Sequence, residues 1–199
     1  MWIYRGILMI LTNGQTIAVR AYASEEILNS FVKFGSGSIL GIPIPAYVFI
    51  VIALLLSFIL KKTVFGRNIY FIGSNPDAAA MSGINVPKVK FIAYIITGML
   101  GGLAGAMLAG RLVSMPTNGG NGYEFEGIFA SVLGGISMVG GEGGMLGAVV
   151  GAIIVACIRN GLNLNGIDAF WQQVILGIII VIAVFYDTVR TKKARNAKS

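Results

Sequence analysis

The stretch FIAYIITGMLGGLAGAMLAGRLV, from Phe91 to Val113, decides the fold, because its 23 residues are interrupted only by Thr97 and Arg111. About 20 mainly apolar residues are enough for a helix to cross the hydrocarbon core of a bilayer. In the whole chain, 56% of the 199 residues are hydrophobic and only 12% are charged. A typical soluble domain carries about 25% charged residues. The sequence therefore predicts an all-α integral membrane protein, a polytopic bundle of transmembrane helices, rather than a soluble protein with a large core.

Other apolar runs mark further spans. We predict spans at 43–60, 91–113 and 169–186, a partial span at 1–12, a hydrophilic connection at 61–90 and a basic tail at 187–199. The segments 127–139 and 145–158 flank a GGEGG sequence and form either two thin spans or a re-entrant hairpin. Residues 13–45 contain prolines and glycines that interrupt helices, which predicts a loop with a short strand.

The basic residues indicate the orientation of the chain. Ten of the 15 Lys and Arg residues lie in the connection or the tail: Lys61, Lys62, Arg67, Lys88, Lys90, Arg190, Lys192, Lys193, Arg195 and Lys198. The opposite loops hold Arg20, Lys33 and Arg159 together with most of the acidic residues. The positive-inside rule then places the connection and the tail in the cytoplasm. Since the aromatic residues are not interleaved with a basic stripe, the net charge of +7 does not indicate a nucleic-acid partner.

The sequence shows no grouping of residues typical of a catalytic or metal site. It has no histidine, and its one cysteine, Cys157, lies in an apolar run where a packed, inert thiol is expected. The GGEGG sequence lacks the Lys-Ser/Thr pair of a phosphate-binding loop. We therefore expect no enzyme activity, no catalytic residue, no metal and no cofactor.

The stretch GSNPDAAAMSGINV, from Gly73 to Val86, predicts a short helix with defined ends inside the hydrophilic connection. Asn75 is a candidate N-cap, the following proline occupies the favoured first helical position, and Gly83 is a candidate stop. The predicted apolar face consists of Ala80, Met81 and Ile84. Because so short a helix is marginal alone in water, these features favour a helix that docks on another protein.

Two long segments resemble a known family. FGRNIYFIGSNPDAAAMSGINVPKVKFIAYIITGMLGGLAGAMLAGRL and GYEFEGIFASVLGGISMVGGEGGMLGAVVGAIIVACIRNGLNLNGIDAFWQQVILGIIIVIAV are similar to the permease subunit of bacterial ATP-binding-cassette importers for ribose, galactose and xylose. The resemblance implies a single transmembrane permease domain over residues 1–199, in the bacterial inner membrane, and a cytoplasmic coupling helix that enters a cleft on a separate ATPase subunit. Carried over by position, the coupling residues are Asn75, Ala78, Ala79, Ser82, Gly83 and Ile84.

The family also implies partners and a length. The expected partners are the ATPase, a second permease copy in a homodimer, a periplasmic or extracellular sugar-binding protein and membrane lipid. Family permeases have several more spans before the segment matched by MWIYRG, so we expect this chain to be the C-terminal part of a longer permease. Transport in the family is driven by ATP hydrolysis on the partner.

Glycines and side-chain amides provide two further predictions. Small residues at four-residue spacing let transmembrane helices pack closely, and we assign this role to Gly98, Gly101, Gly102, Gly105, Gly143, Gly147 and Gly151. Neutral amides suit a hydroxylated sugar because they both donate and accept hydrogen bonds. Candidate substrate-path residues are Asn160, Asn163, Asn165, Gln172 and Gln173, although helix capping and loop solvation explain the same residues.

An ion-coupled secondary transporter or channel without an ATPase is the alternative function. Such proteins place ionisable residues within the membrane as coupling sites. Arg5, Arg111 and Glu142 are the candidates in this sequence, and each lies where an interface is expected.

Overall fold

A computed structural model describes residues 2–19, 24–117 and 119–196. Two of the predicted basic positions, Arg20 and Lys198, lie outside the described residues. The described part of the chain contains nine helices and four two-residue strands. The helices are α1 (Trp2–Thr12), α2 (Glu25–Ser36), α3 (Ile44–Lys62), α4 (Val64–Ser74), α5 (Pro76–Met81), α6 (Val86–Leu112), α7 (Tyr123–Leu133), α8 (Met145–Leu164) and α9 (Ala169–Asn196). The strands are β1 (Ile17–Ala18), β2 (Ser38–Ile39), β3 (Ile42–Pro43) and β4 (Ser114–Met115).

Three helices in the described ranges are long and apolar enough to cross a membrane, namely α3, α6 and α8. Their mean hydropathies over 18 residues are 2.4, 1.8 and 1.9. The apolar helix α1 and the apolar segment Phe170–Ile182 of α9 are shorter. At about 1.5 Å per residue, the 11 residues of α7 reach only about half of the hydrocarbon thickness.

Helix α2 lies within residues 13–45, where the sequence predicted a loop with a short strand. Short strands are present there, but the loop prediction was wrong for residues 25–36. Ser24 has extended backbone at the N-cap position, and two glutamates follow in the first turn. Both features favour a helix start. The side chain of Leu28 is buried, and Gly35 is buried two turns later. The prolines at 43 and 45 lie beyond the end of α2: Pro43 is in β3, which pairs with β2, and Pro45 is in the first turn of α3.

The chain divides into two compact units. The first unit comprises the described parts of residues 1–54 and 90–121. In it, β1 pairs with β4 in an antiparallel register that sets Ile17 opposite Met115. Helix α2 approaches α6 closely, because a methyl group on Gly110 would lie 2.6 Å from the carbonyl oxygen of Phe31.

The second unit comprises the described parts of residues 55–89 and 122–199. Helices α7 and α8 pack antiparallel, with Gly134 at the end of α7 against Gly147 near the start of α8. Their buried side chains include Ala130 and Val155, and α9 adds Leu176 and Gln172. A separate small core forms around Ile72, Ala79 and Val89, described below. Cys157 is exposed on α8 rather than packed, contrary to the prediction.

Candidate functional site

Helix α5 begins as the sequence predicts. The Asn75 side-chain oxygen accepts hydrogen bonds of 3.0 Å from the backbone N–H groups of Asp77 and Ala78. Pro76 occupies the first turn, where its missing N–H costs no hydrogen bond. The carboxylate of Asp77 lies near the positive end of the helix dipole. The predicted N-terminal cap is therefore confirmed.

The other end of α5 is closed by Gly83. Its φ of +81° lies in the left-handed region, which a side chain without a Cβ adopts without strain. The N–H of Gly83 donates to the carbonyl of Ala80 at 3.0 Å, and that of Ile84 donates to the carbonyl of Ala79 at 3.1 Å. These two bonds form a Schellman motif, which satisfies the last carbonyls of the helix. The predicted stop is confirmed, and both ends of α5 have defined hydrogen bonds.

The residues on the buried and exposed faces of α5 differ in part from those that the sequence predicts. Ala79 is 0% exposed and packs in a core with Ile72 and Val89, and Ile84 lies partly buried against that core. Met81 is 91% exposed. The predicted apolar face of Ala80, Met81 and Ile84 was therefore wrong for Ile84, because that side chain turns inward after Gly83. Ala79 lies on the buried side of α5, so it does not form part of the exposed face.

Helix α4 connects α5 to the preceding span. Thr63 caps α4 by accepting a hydrogen bond from the N–H of Gly66 at 3.2 Å, and its own hydroxyl donates to the carbonyl of Ile59 in α3. The N–H of Asn75 donates to Phe71 in the last turn of α4 at 3.1 Å. Asn75 also accepts the first hydrogen bonds of α5, and it is the only residue between α4 and α5.

The predicted packing glycines fall into two groups. Gly147 and Gly151 face the backbone of α7, where added methyl groups would meet the carbonyls of Gly134 and Ala130. Gly143 has a φ of +127° and lies against Ile136. By contrast, a methyl group added at Gly98, Gly101, Gly102 or Gly105 of α6 would meet no described atom within 4 Å. Their role as a helix-packing surface stays a prediction.

The structure brings together two of the five candidate path residues. Gln172 is 4% exposed, and its side-chain nitrogen donates to the Asn163 side-chain oxygen at 2.7 Å and to the carbonyl of Ile167 at 2.8 Å. The Asn165 amide donates to the carbonyl of Gly161 at 2.8 Å. These bonds stabilise the turn between α8 and α9. Asn160 and Gln173 are exposed and remain available to a ligand.

The polar and titratable residues offer few alternatives to a docking site. Among the described residues, no group of three or more His, Cys, Asp or Glu side chains is placed to hold a metal ion. Glu142, which the sequence raised as a candidate intramembrane charge, is exposed in the loop between α7 and α8. The best-defined candidate site is thus the short capped helix α5, which lies in the sequence between the apolar helices α3 and α6.

Comparison with known proteins identifies the family. Residues 1–184 match the family model described as "Branched-chain amino acid transport system / permease component". The chain belongs to this permease family. The ribose import permease protein RbsC of Bacillus subtilis is 42% identical to this chain over 187 residues, which are 94% of this chain and 56% of the relative. The xylose transport system permease protein XylH of Haemophilus influenzae is 43% identical over 77% of the chain and 41% of the relative.

A third relative of this chain is the L-arabinose ABC transporter permease protein AraH of Azospirillum brasilense. It is 35% identical over 198 residues, which span 100% of the chain and 56% of the relative. The resemblance to sugar-importer permeases is therefore confirmed, and the relatives are transport permeases rather than enzymes. Together with the apolar helices, they make this a multi-pass membrane protein. The chain spans a little over half the length of the first relatives. No solved structure matches it significantly.

Proposed function

We propose that the chain forms part of the transmembrane path of an ATP-driven importer for a simple sugar. The relatives named for ribose, xylose and L-arabinose support this class of substrate. The single observation that carries the proposal is helix α5 of this chain. It is capped at both ends and lies in the sequence between the apolar helices α3 and α6. The inner membrane of a bacterium is the expected location.

Helix α5 is the proposed docking site for the ATPase subunit. Isolated helices shorter than about 12 residues are marginal in water, yet the 6 residues of α5 are fixed by caps at both ends and by buried Ala79. The docking surface then consists of exposed residues: Asn75, Ala80, Met81 and Ser82. Ala78 lies at its edge, while Gly83 and Ile84 shape its end. Five basic residues within 61–90 favour a cytoplasmic position for this surface.

Two other partners complete the proposal. The glycines of α6, near which no other described residue comes within 4 Å of an added methyl group, suit the close approach of a second helix. A second permease copy is the proposed source of that helix. A sugar-binding protein delivers the substrate on the opposite side of the membrane. The exposed amides Asn160 and Gln173 would offer the sugar weak hydrogen bonds, which suit a path that must release its substrate.

Reconstitution tests the proposal. Proteoliposomes should contain the complete permease that includes this chain, the ATPase subunit and the binding protein, with radiolabelled D-ribose, D-xylose and L-arabinose as probes. We expect uptake of one of these sugars that requires ATP and the binding protein and is insensitive to a protonophore. Uptake that persists without ATP and is abolished by the protonophore would instead establish the ion-coupled alternative.

A further inference from the structure

The glycine-rich loop between α7 and α8, residues 134–144, is in direct backbone contact with the end of α4. A methyl group on Gly73 would lie 2.6 Å from the backbone nitrogen of Gly141, and one on Gly140 would lie 2.6 Å from the carbonyl oxygen of Gly73. A side chain on Gly141 would collide with Ser74. Real Cβ atoms are not found at such distances, so these glycines are what permits the contact.

A second contact fixes the same two segments one turn earlier on α4. The phenolic O–H of Tyr70 donates to the carbonyl oxygen of Gly143 at 2.9 Å, across 73 residues of sequence. The hydroxyl of Ser74 donates to the carbonyl of Tyr70 at 3.1 Å, which places both contacts on adjacent turns. Two attachment points a turn apart restrict rotation of α4 against the loop as well as separation from it.

The loop is itself compact and continuous with two packed helices. The N–H of Ser137 donates to the carbonyl of Glu142, and the N–H of Gly140 donates to the carbonyl of Ser137, both at 3.2 Å. Gly134, where α7 ends and the loop begins, packs against Gly147 of α8. The connection from α4 to α7 and α8 therefore consists of hydrogen bonds and backbone contacts, with few flexible side chains between them.

We infer that loop 134–144 is the fixed joint through which movement of the docking helix α5 reaches α7 and α8, with Tyr70, Gly73 and Gly141 as positioning residues. The inference rests on the proposed function, because it assigns a path for the force that the ATPase would apply at α5. Since one residue separates α4 from α5, both helices move together and the loop follows them.

Substitutions that loosen the joint provide the first test, in the complete importer. Gly73→Ala inserts a methyl group against Gly141, and Tyr70→Phe removes one hydrogen bond while keeping the ring. We expect each variant to retain ATP hydrolysis while sugar uptake per ATP falls by roughly 2- to 30-fold. Gly177→Ala is the matched control, because its methyl group would meet no atom of the described residues within 4 Å. Loss of folding would reduce hydrolysis and uptake together, and the ratio distinguishes that outcome.

A disulfide provides the second test. In a Cys157→Ser background, Ser74→Cys with Gly141→Cys should form a disulfide on oxidation. A Cβ at 141 would lie 3.0 Å from that of Ser74, and a backbone shift of about 0.5–1 Å brings the two Cβ atoms to the separation of about 3.5–4.5 Å found in disulfides. Each single cysteine variant controls for bonds between molecules. We expect the oxidised and the reduced forms of this double variant to have the same uptake per ATP, since a fixed joint does not open. Failure of the bond to form, or uptake lost on oxidation and restored on reduction, would overturn the inference.

The two tests also separate this inference from the proposed function. If the unmodified importer shows no ATP-dependent sugar uptake, the proposed function itself fails. If it transports normally and Gly73→Ala and Tyr70→Phe match Gly177→Ala in uptake per ATP, the function stands and the joint is refuted.

Discussion

Glu126 and Arg159 form an ion pair of 2.6 Å that joins the first turn of α7 to the C-terminal part of α8. The guanidinium also lies 6.0 Å from the ring centre of Tyr123, at the limit of a cation–π contact. Loop 134–144 occupies the opposite end of the same antiparallel helix pair. The ion pair and the contact with α4 thus lie at opposite ends of the α7–α8 pair, as expected if one end faces the cytoplasm and the other does not.

Breaking the ion pair should cost little stability. The two side chains are 35% and 24% exposed, so water screens the pair, and such pairs contribute about 0–1 kcal/mol. We expect Glu126→Gln and Arg159→Gln to lower the detergent-solubilised protein's melting temperature slightly, and the double variant to fall less than their sum. High salt should shrink this difference. Strictly additive single effects at low salt would contradict a direct pair.

The N-cap of α5 should matter locally. Asn75→Ala removes the acceptor of two backbone hydrogen bonds, which typically costs about 1 kcal/mol, whereas Asn75→Asp keeps an equivalent cap. We expect amide hydrogen exchange in residues 77–81 to be about fivefold faster in the alanine variant and unchanged in the aspartate variant. Equal exchange rates in both variants would show that the cap does not stabilise α5.

The ends of α5 were predictable because capping is local chemistry. Asn75, Pro76 and Gly83 act on backbone groups within four residues, so their types alone indicate where the helix starts and stops. The buried face was not predictable, since a helix of six residues is too short to show a periodicity. That Ala79 rather than Ala80 packs inward depends on Ile72 and Val89, which belong to neighbouring helices.

Gly83 should tolerate only residues that adopt a left-handed backbone. Gly83→Val places a β-branched side chain at a φ of +81°, whereas Gly83→Asn adopts that conformation far more readily. No described atom lies within 4 Å of the added Cβ, so backbone strain accounts for the difference. In the reconstituted importer we expect the valine variant to hydrolyse ATP without matching sugar uptake, and the asparagine variant to remain coupled. Normal uptake by Gly83→Val would count heavily against the docking role of α5.

Close packing of α7 on α8 should make Gly151 intolerant of a methyl group. A Cβ there would meet the carbonyl oxygen of Ala130 and lie 2.8 Å from the nitrogen of Gly134. Overpacking of this kind costs about 1–3 kcal/mol, which exceeds the helix-propensity gain of about 1 kcal/mol from glycine to alanine. We expect Gly151→Ala to melt at a lower temperature than the parent and Gly177→Ala to melt no lower. A stabilised Gly151→Ala would contradict the α7–α8 contact.

The sequence indicated that glycines were important but not which partner each one meets. The row of Gly143, Gly147 and Gly151 has the spacing of a helix contact, and two of the three meet α7. The contact of Gly73 with Gly141 has no local signal, because it joins segments 68 positions apart that come together only in the folded chain. The side-chain bond between Gln172 and Asn163 likewise depends on how α9 folds back on α8, which the residue types alone do not indicate.

The side of the membrane on which α5 lies is the central claim, and labelling tests it most directly. In a Cys157→Ser background, Met81→Cys and Leu164→Cys introduce thiols at positions that are 91% and 80% exposed, on α5 and at the end of α8. The reagent is a membrane-impermeant maleimide, applied to intact spheroplasts and to inside-out vesicles. We predict that Cys at 81 reacts only in inside-out vesicles and that Cys at 164 reacts only in spheroplasts. Labelling of position 81 in intact spheroplasts would place α5 outside the cell, where no ATPase can reach it.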